Sequence, residues 1–73
     1  MRFEWDEAKN EENIRKHYLD FSDAHLVFDR PILIEIDDRF DYGEARTRGI
    51  GVLRDLVVVV IFTERDNDII RII

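Results

Sequence analysis

Polar and apolar positions change their period once along the chain, at Pro31. Before it the spacing is helical. Asp6 is placed to cap a helix over residues 7–18, with Glu7 in its first turn, where an acidic side chain favours the helix dipole. Ala8, Ile14 and Tyr18 supply a modest apolar stripe, and the pairs Glu11–Arg15 and Glu12–Lys16 mark the solvated face. Ser22 is placed to cap a second, shorter helix over residues 22–29. There Phe21, Ala24, His25 and Phe28 follow the i, i+3, i+4, i+7 spacing of a buried face, which makes His25 a core histidine. Pro31 ends that helix, because proline disfavours helical geometry in the residue before it.

Beyond Pro31 the pattern predicts strands. Residues 32–36 form the first, followed by a polar loop from Asp37 to Gly43. Residues 45–53 form the second, with Arg46, Arg48, Ile50 and Val52 on one face. A tight turn at Arg54-Asp55 leads into residues 56–63, apolar and valine-rich, which read as a central strand buried on both faces. A polar turn over Glu64–Asp68 precedes the last strand, residues 69–73. Short connections favour antiparallel neighbours. The expectation is one α+β domain, residues 1–73, with two N-terminal helices packed on a four-stranded antiparallel meander. The apolar last strand, left at an edge, would expose greasy surface and unpaired backbone. That predicts burial against a second chain, in a homodimer or a hetero-oligomer.

Composition narrows the class. There is no cysteine, which excludes disulfides and thiolate metal sites and suits a reducing, cytoplasmic compartment. Two histidines without a cysteine cluster give no zinc signature, so neither a metal nor a cofactor is expected. No apolar run approaches the roughly 20 residues of a membrane span. Eleven basic against 17 acidic residues give a net charge of −6, a poor overall field for nucleic acid. The bases are unevenly distributed, however. Both lysines, Lys9 and Lys16, precede Pro31, and the strand region uses arginine alone, the better bidentate partner for phosphate.

Specific strings then become recognisable. Phe3-Glu4-Trp5-Asp6, Lys9, Asn13 and Lys16-His17 are followed by Phe21, Ala24 and Val27-Phe28-Asp29. Glu44-Ala45-Arg46, Ile50-Gly51, Leu56-Val57-Val58-Val59, Thr63-Glu64-Arg65 and Ile70-Arg71-Ile72-Ile73 complete the set. In this order and spacing they resemble the BrnT family of ribonuclease toxins across essentially the whole chain. The resemblance implies a RelE-like fold, metal-independent RNA cleavage, and a BrnA-like antitoxin through which alone DNA is bound. It also implies a Ser-Ala-Arg stretch and a basic helix after the last strand, which these 73 residues do not contain.

Cleavage of RNA by its own 2′-hydroxyl needs a base, cations on the phosphorane and an acid for the leaving 5′-oxygen. Arg46 and Arg71 are candidates for the scissile phosphate, and Arg48 for RNA binding. The alternative makes all three ordinary strand arginines, paired with Glu35 or Glu44. His17 and Glu44 are candidates for proton transfer, although His17 could equally close the first helix. Lys9, Lys16 and Trp5 are candidates for contacts to the RNA backbone and bases, or a solvated face and a packing aromatic. Two functions follow: a toxin endoribonuclease, or a non-catalytic module that binds a BrnA-like antitoxin.

Overall fold

The computed structural model of the protein describes residues 1–39, 43–66 and 68–73. In chain order it contains β1 (Arg2–Glu4), α1 (Glu7–His17), a 3-10 turn (Phe21–Asp23) and α2 (Ala24–Phe28). Then come β2 (Leu33–Asp37), β3 (Arg46–Leu53), β4 (Leu56–Arg65) and β5 (Ile69–Ile72). The expected α+β class with two helices holds. The sheet does not match the four-stranded antiparallel, RelE-like meander: it has five strands in the order β1-β5-β4-β3-β2, with β1 parallel to β5 and the rest antiparallel.

β1 changes the fate of the last strand. Instead of ending the sheet, β5 lies between β1 and β4, and Ile70 and Ile72 are both buried. The greasy edge expected there is filled by the chain's own first residues, through the pairs Arg2↔Ile69, Phe3↔Ile70 and Glu4↔Arg71.

One face of the sheet carries the core. Phe62, Ile70, Ile72 and Ala24 form one buried cluster, and Val27, Leu53 and Val58 a second, with Val60 touching both. The rings of Phe3, Phe28 and Phe62 stack in sequence at 5.4 and 5.1 Å, a tilted and edge-on geometry that suits aromatic quadrupoles. α2 crosses β3 closely because Gly51 leaves room: a Cβ there would stand 2.7 Å from Val27 Cγ1.

α1 is held differently. Asp6 caps it, accepting from the Lys9 amide at 3.2 Å, and Tyr18 closes it in the left-handed region at φ 58°. Its predicted apolar stripe is not its buried face, since Ala8, Ile14 and Tyr18 are exposed. The buried residue is Asn10, whose Nδ2 donates to Asp20 Oδ1 at 3.0 Å and whose Oδ1 accepts from the Phe21 amide at 2.8 Å. Asn13 adds a bond from its Nδ2 to the Leu19 carbonyl at 2.6 Å.

Three local expectations need correction. Asp20, not Ser22, caps the 3-10 turn, accepting from the Ser22 amide. His25 is exposed, with Nδ1 at 2.9 Å from the Ser22 carbonyl oxygen. β4 is not buried on both faces, because Leu56, Val57 and Val59 are exposed. The loop expected from Asp37 to Gly43 lies partly outside the described residues, as does part of the turn over Glu64–Asp68.

Candidate phosphate-binding face

Side chains alternate along a strand and cross-strand partners share a face, so the register defines what lies opposite the helices. Glu4 pairs with Arg71, Arg71 with Thr63, and Arg46 with Asp37. The pair Thr47↔Phe62 carried one residue further sets Arg46 beside Thr63. The open face therefore bears one continuous row: Glu4, Arg71, Thr63, Arg46, Asp37. Arg2, Ile69 and Arg65 form the row on one side, and Ile61, Arg48 and Glu35 the row on the other.

Thr63 is 8% exposed and floors the interval between Arg71 and Arg46, whose backbones stand two strand spacings apart, roughly 10 Å. Both guanidiniums are long enough to lean over that threonine. A shared anion site at Thr63 is what this row can build.

Four arginines of this face, Arg46, Arg48, Arg65 and Arg71, already have a carboxylate partner. Arg71 Nη1 is 3.6 Å from Glu4 Oε2, and Arg65 Nη1 is 3.3 Å from Glu4 Oε1. Arg48 Nη2 is 3.1 Å from Glu35 Oε1, and Arg46 Nε is 3.4 Å from Glu44 Oε1. Asp37, whose side chain is buried, takes Arg39 at 2.8 and 3.1 Å. The pairs of Arg46, Arg48, Arg65 and Arg71 are partly solvated, so each contributes little to stability, and an incoming phosphate can compete for the same donors.

The structure divides the sequence candidates between two sides. Arg46, Arg48 and Arg71 lie together on the open face, with Glu44 beside Arg46. His17 does not join them. It ends α1 on the helix-covered side and lines a groove of about 460 Å³ with Asn13, Leu19, Val57, Val59 and Ile73. Lys9 and Lys16 are on the same helix, with Lys16 bonded to Glu12 at 2.6 Å, a contact that lowers the Glu12 pKa. Trp5, half-buried, packs against the Phe62 cluster and donates its Nε1–H to Glu7, apart from the open face. Sequence reasoning missed Glu4, Thr63 and Asp37. Strand alternation could have flagged Thr63, but Glu4 reaches the face only through the parallel β1–β5 pairing.

Among the described residues no group of three or more His, Asp or Glu side chains is arranged to hold a metal ion, and no helix is long and apolar enough to cross a membrane.

The fold and this face define a small α+β protein with an arginine-lined, solvent-facing sheet surface suited to an anion. Residues 5–73 match the family described as ribonuclease toxin, BrnT, of type II toxin-antitoxin system. The chain belongs to that family, and an antitoxin partner comes with it. No curated relative matches the chain.

Proposed function

We propose that the protein is an endoribonuclease that cleaves RNA without a metal, by attack of the ribose 2′-hydroxyl on the adjacent phosphorus. What supports this reading is that Arg46 and Arg71, from β3 and β5, flank buried Thr63 on one open face, within reach of a shared anion. The scissile phosphate displaces Glu4 and Glu44 from these guanidiniums and takes their place. Glu44, released beside Arg46, accepts the 2′-hydroxyl proton. The 2′-oxygen–phosphorus bond forms, the phosphorus–5′-oxygen bond breaks, and the departing oxygen takes a proton from water. Arg46 and Arg71 neutralise the extra charge on the phosphorane, the step at which preorganised cations act most strongly. Arg48, one row away, holds a flanking phosphate. His17 has no part in the chemistry. The cytoplasm is the compartment this substrate requires.

The test is incubation of the purified protein with labelled single-stranded RNA in EDTA. Products should carry 2′,3′-cyclic phosphate and 5′-hydroxyl ends, and an all-deoxy strand should stay intact. Arg46→Ala and Arg71→Ala should each lower the rate about 10²–10³-fold, the usual effect of removing one transition-state donor, while His17→Ala should leave it unchanged. Full activity in Arg71→Ala would end the proposal.

A second reading, a non-catalytic module that binds a BrnA-like antitoxin, is favoured by one observation. The groove beside α1 is lined by Leu19, Val57, Val59 and Ile73, and Val57 and Val59 are exposed, an apolar surface that a segment of a partner can cover. A protein inert on RNA that still binds such an antitoxin would select this reading.

A further inference from the structure

At the far edge of the sheet, β2 has only β3 beside it among the described elements. It is apolar and open on both faces: Leu33 is 63% exposed, Ile34 51% and Ile36 77%. Natural edges are blunted by charged side chains, lysine above all, by proline or by a bulge; the two charges of β2, Glu35 and Asp37, are already paired with arginines. β2 contains no lysine or proline, and its register against β3 runs without interruption from Leu33↔Ile50 to Asp37↔Arg46. It is an edge made to be covered.

Hydrogen-bond parity says which atoms are free. Because the Ile73 amide bonds to Ile61, odd residues of β4 face β5 and even ones face β3. The alternation then turns even residues of β3 toward β2 and odd residues of β2 toward β3. The N–H and C=O groups of Ile34 and Ile36 therefore point outward.

Charge identifies the partner. The chain carries −6, so two copies repel over most of their surface. At this edge the acids are neutralised: Glu35 is held by Arg48 at 3.1 Å and Asp37 by Arg39. The edge is thus apolar, locally uncharged, and complementary to itself under a two-fold axis normal to the sheet.

We propose that two copies of the chain pair antiparallel through β2, with Ile34 opposite Ile34 of the second copy, joining two sheets into one of ten strands. In this register Ile36 meets Ile32 and Leu33 meets Glu35, whose charge Arg48 already balances. All the outward amides and carbonyls of Ile34 and Ile36 are satisfied. The register shifted by one pleat would place Glu35 against Glu35, and like charges directly opposite are destabilising.

The absence of cysteine makes the register directly readable. In a hydrogen-bonded antiparallel pair the Cα atoms stand about 5.5 Å apart, within disulfide reach. Ile34→Cys under mild oxidation should give a disulfide-linked dimer, and Glu35→Cys, folded to the same circular-dichroism spectrum, should not. Sedimentation of the unmodified chain should show concentration-dependent dimer, which Ile34→Lys should abolish without changing the spectrum. A monomer at all concentrations, or cross-linking that is equal at the two positions or favours 35, would overturn the proposal. None of these readouts depends on RNA cleavage.

Discussion

Glu4 holds two arginines of the open face at once, and replacing it with glutamine should strengthen RNA binding. Its carboxylate stands 3.3 Å from Arg65 Nη1 and 3.6 Å from Arg71 Nη1. In the unmodified protein a phosphate must displace it. Glutamine keeps the size and a hydrogen-bond acceptor and removes the charge. A unit charge about 4 Å away is worth about 1 kcal/mol in a water-like medium and about 4 kcal/mol at an effective dielectric of 20. Both arginines and Glu4 are partly exposed, so the lower figure applies, which corresponds to about a 5-fold lower Kd.

Salt dependence supplies a second readout, because single-stranded nucleic acid loses affinity with a slope of about −0.7 per neutralised phosphate. Freeing two guanidiniums should steepen the slope by up to about 1.4. The assay is fluorescence anisotropy with an uncleavable, 2′-deoxy-substituted RNA strand between 50 and 200 mM salt, beside a thermal melt. Losing exposed ion pairs costs at most about 1 kcal/mol, or about 4–8 °C in Tm for a chain of this size. A Kd that is unchanged or raised, in a variant that melts within that window, would refute the idea that these arginines are an anion site held in check by Glu4.

Two further predictions concern the scaffold. Asn10→Ala removes the buried link between α1 and the Asp20–Phe21 segment, orphaning the Phe21 amide and one bond to a carboxylate; we expect a loss of about 2–4 kcal/mol, measured by urea denaturation, and a loss under 1 kcal/mol would refute it. The same link has a pH signature: hydrogen bonds from Asn10 and Ser22 lower the Asp20 pKa, so its contribution is full above the unfolded value of about 3.9, falls away as pH drops below it, and should be missing from the acid melts of Asn10→Ala. Gly51→Ala should cost about 1–3 kcal/mol through overpacking, because its Cβ would meet the branched, buried Val27 at 2.7 Å, whereas Gly49→Ala meets the movable Cδ1 end of Ile32 at 2.6 Å and, less closely, Phe62 Cε1 at 3.3 Å, and should cost less in the same denaturation series.

What could be read from the chain was what depends on near neighbours. The change of period at Pro31, the Asp6 cap and the shared face of Arg46 and Arg48 follow from local geometry, and the structure has them. β1 was illegible because three residues carry no period and its partner is some 67 positions away, by the pairing Arg2↔Ile69. α1 misled for a different reason. Hydrogen bonds rather than an apolar stripe anchor it, so a polar residue, Asn10, is its buried one. The valine run of β4 suggested burial on both faces, but a face left open by the helices exposes Val57 and Val59. At the candidate site the arginines were visible as types, while their common orientation required the register of three strands.

An acidic protein with a proposed anion site looks contradictory until the charges are assigned to faces. Beyond a Debye length of about 8 Å, surface charges hardly influence one another in physiological salt, so the local sum decides what binds. By strand parity the open face carries Arg2, Arg46, Arg48, Arg65 and Arg71 against Glu4, Glu35 and Asp37, with Glu44 at its margin. That surface is positive. The acidic excess sits elsewhere: α1 is itself balanced, with Glu7, Glu11 and Glu12 against Lys9, Arg15 and Lys16, and the surplus lies in the caps and connections, with Asp6, Asp20, Asp29, Asp55, Asp66 and Asp68. Folding thus sorts charge that the linear chain mixes. The paired carboxylates do not by themselves make the arginines structural: with side chains between 21 and 53% exposed these ion pairs are weak, and the proposed function has a phosphate take the place of the carboxylates.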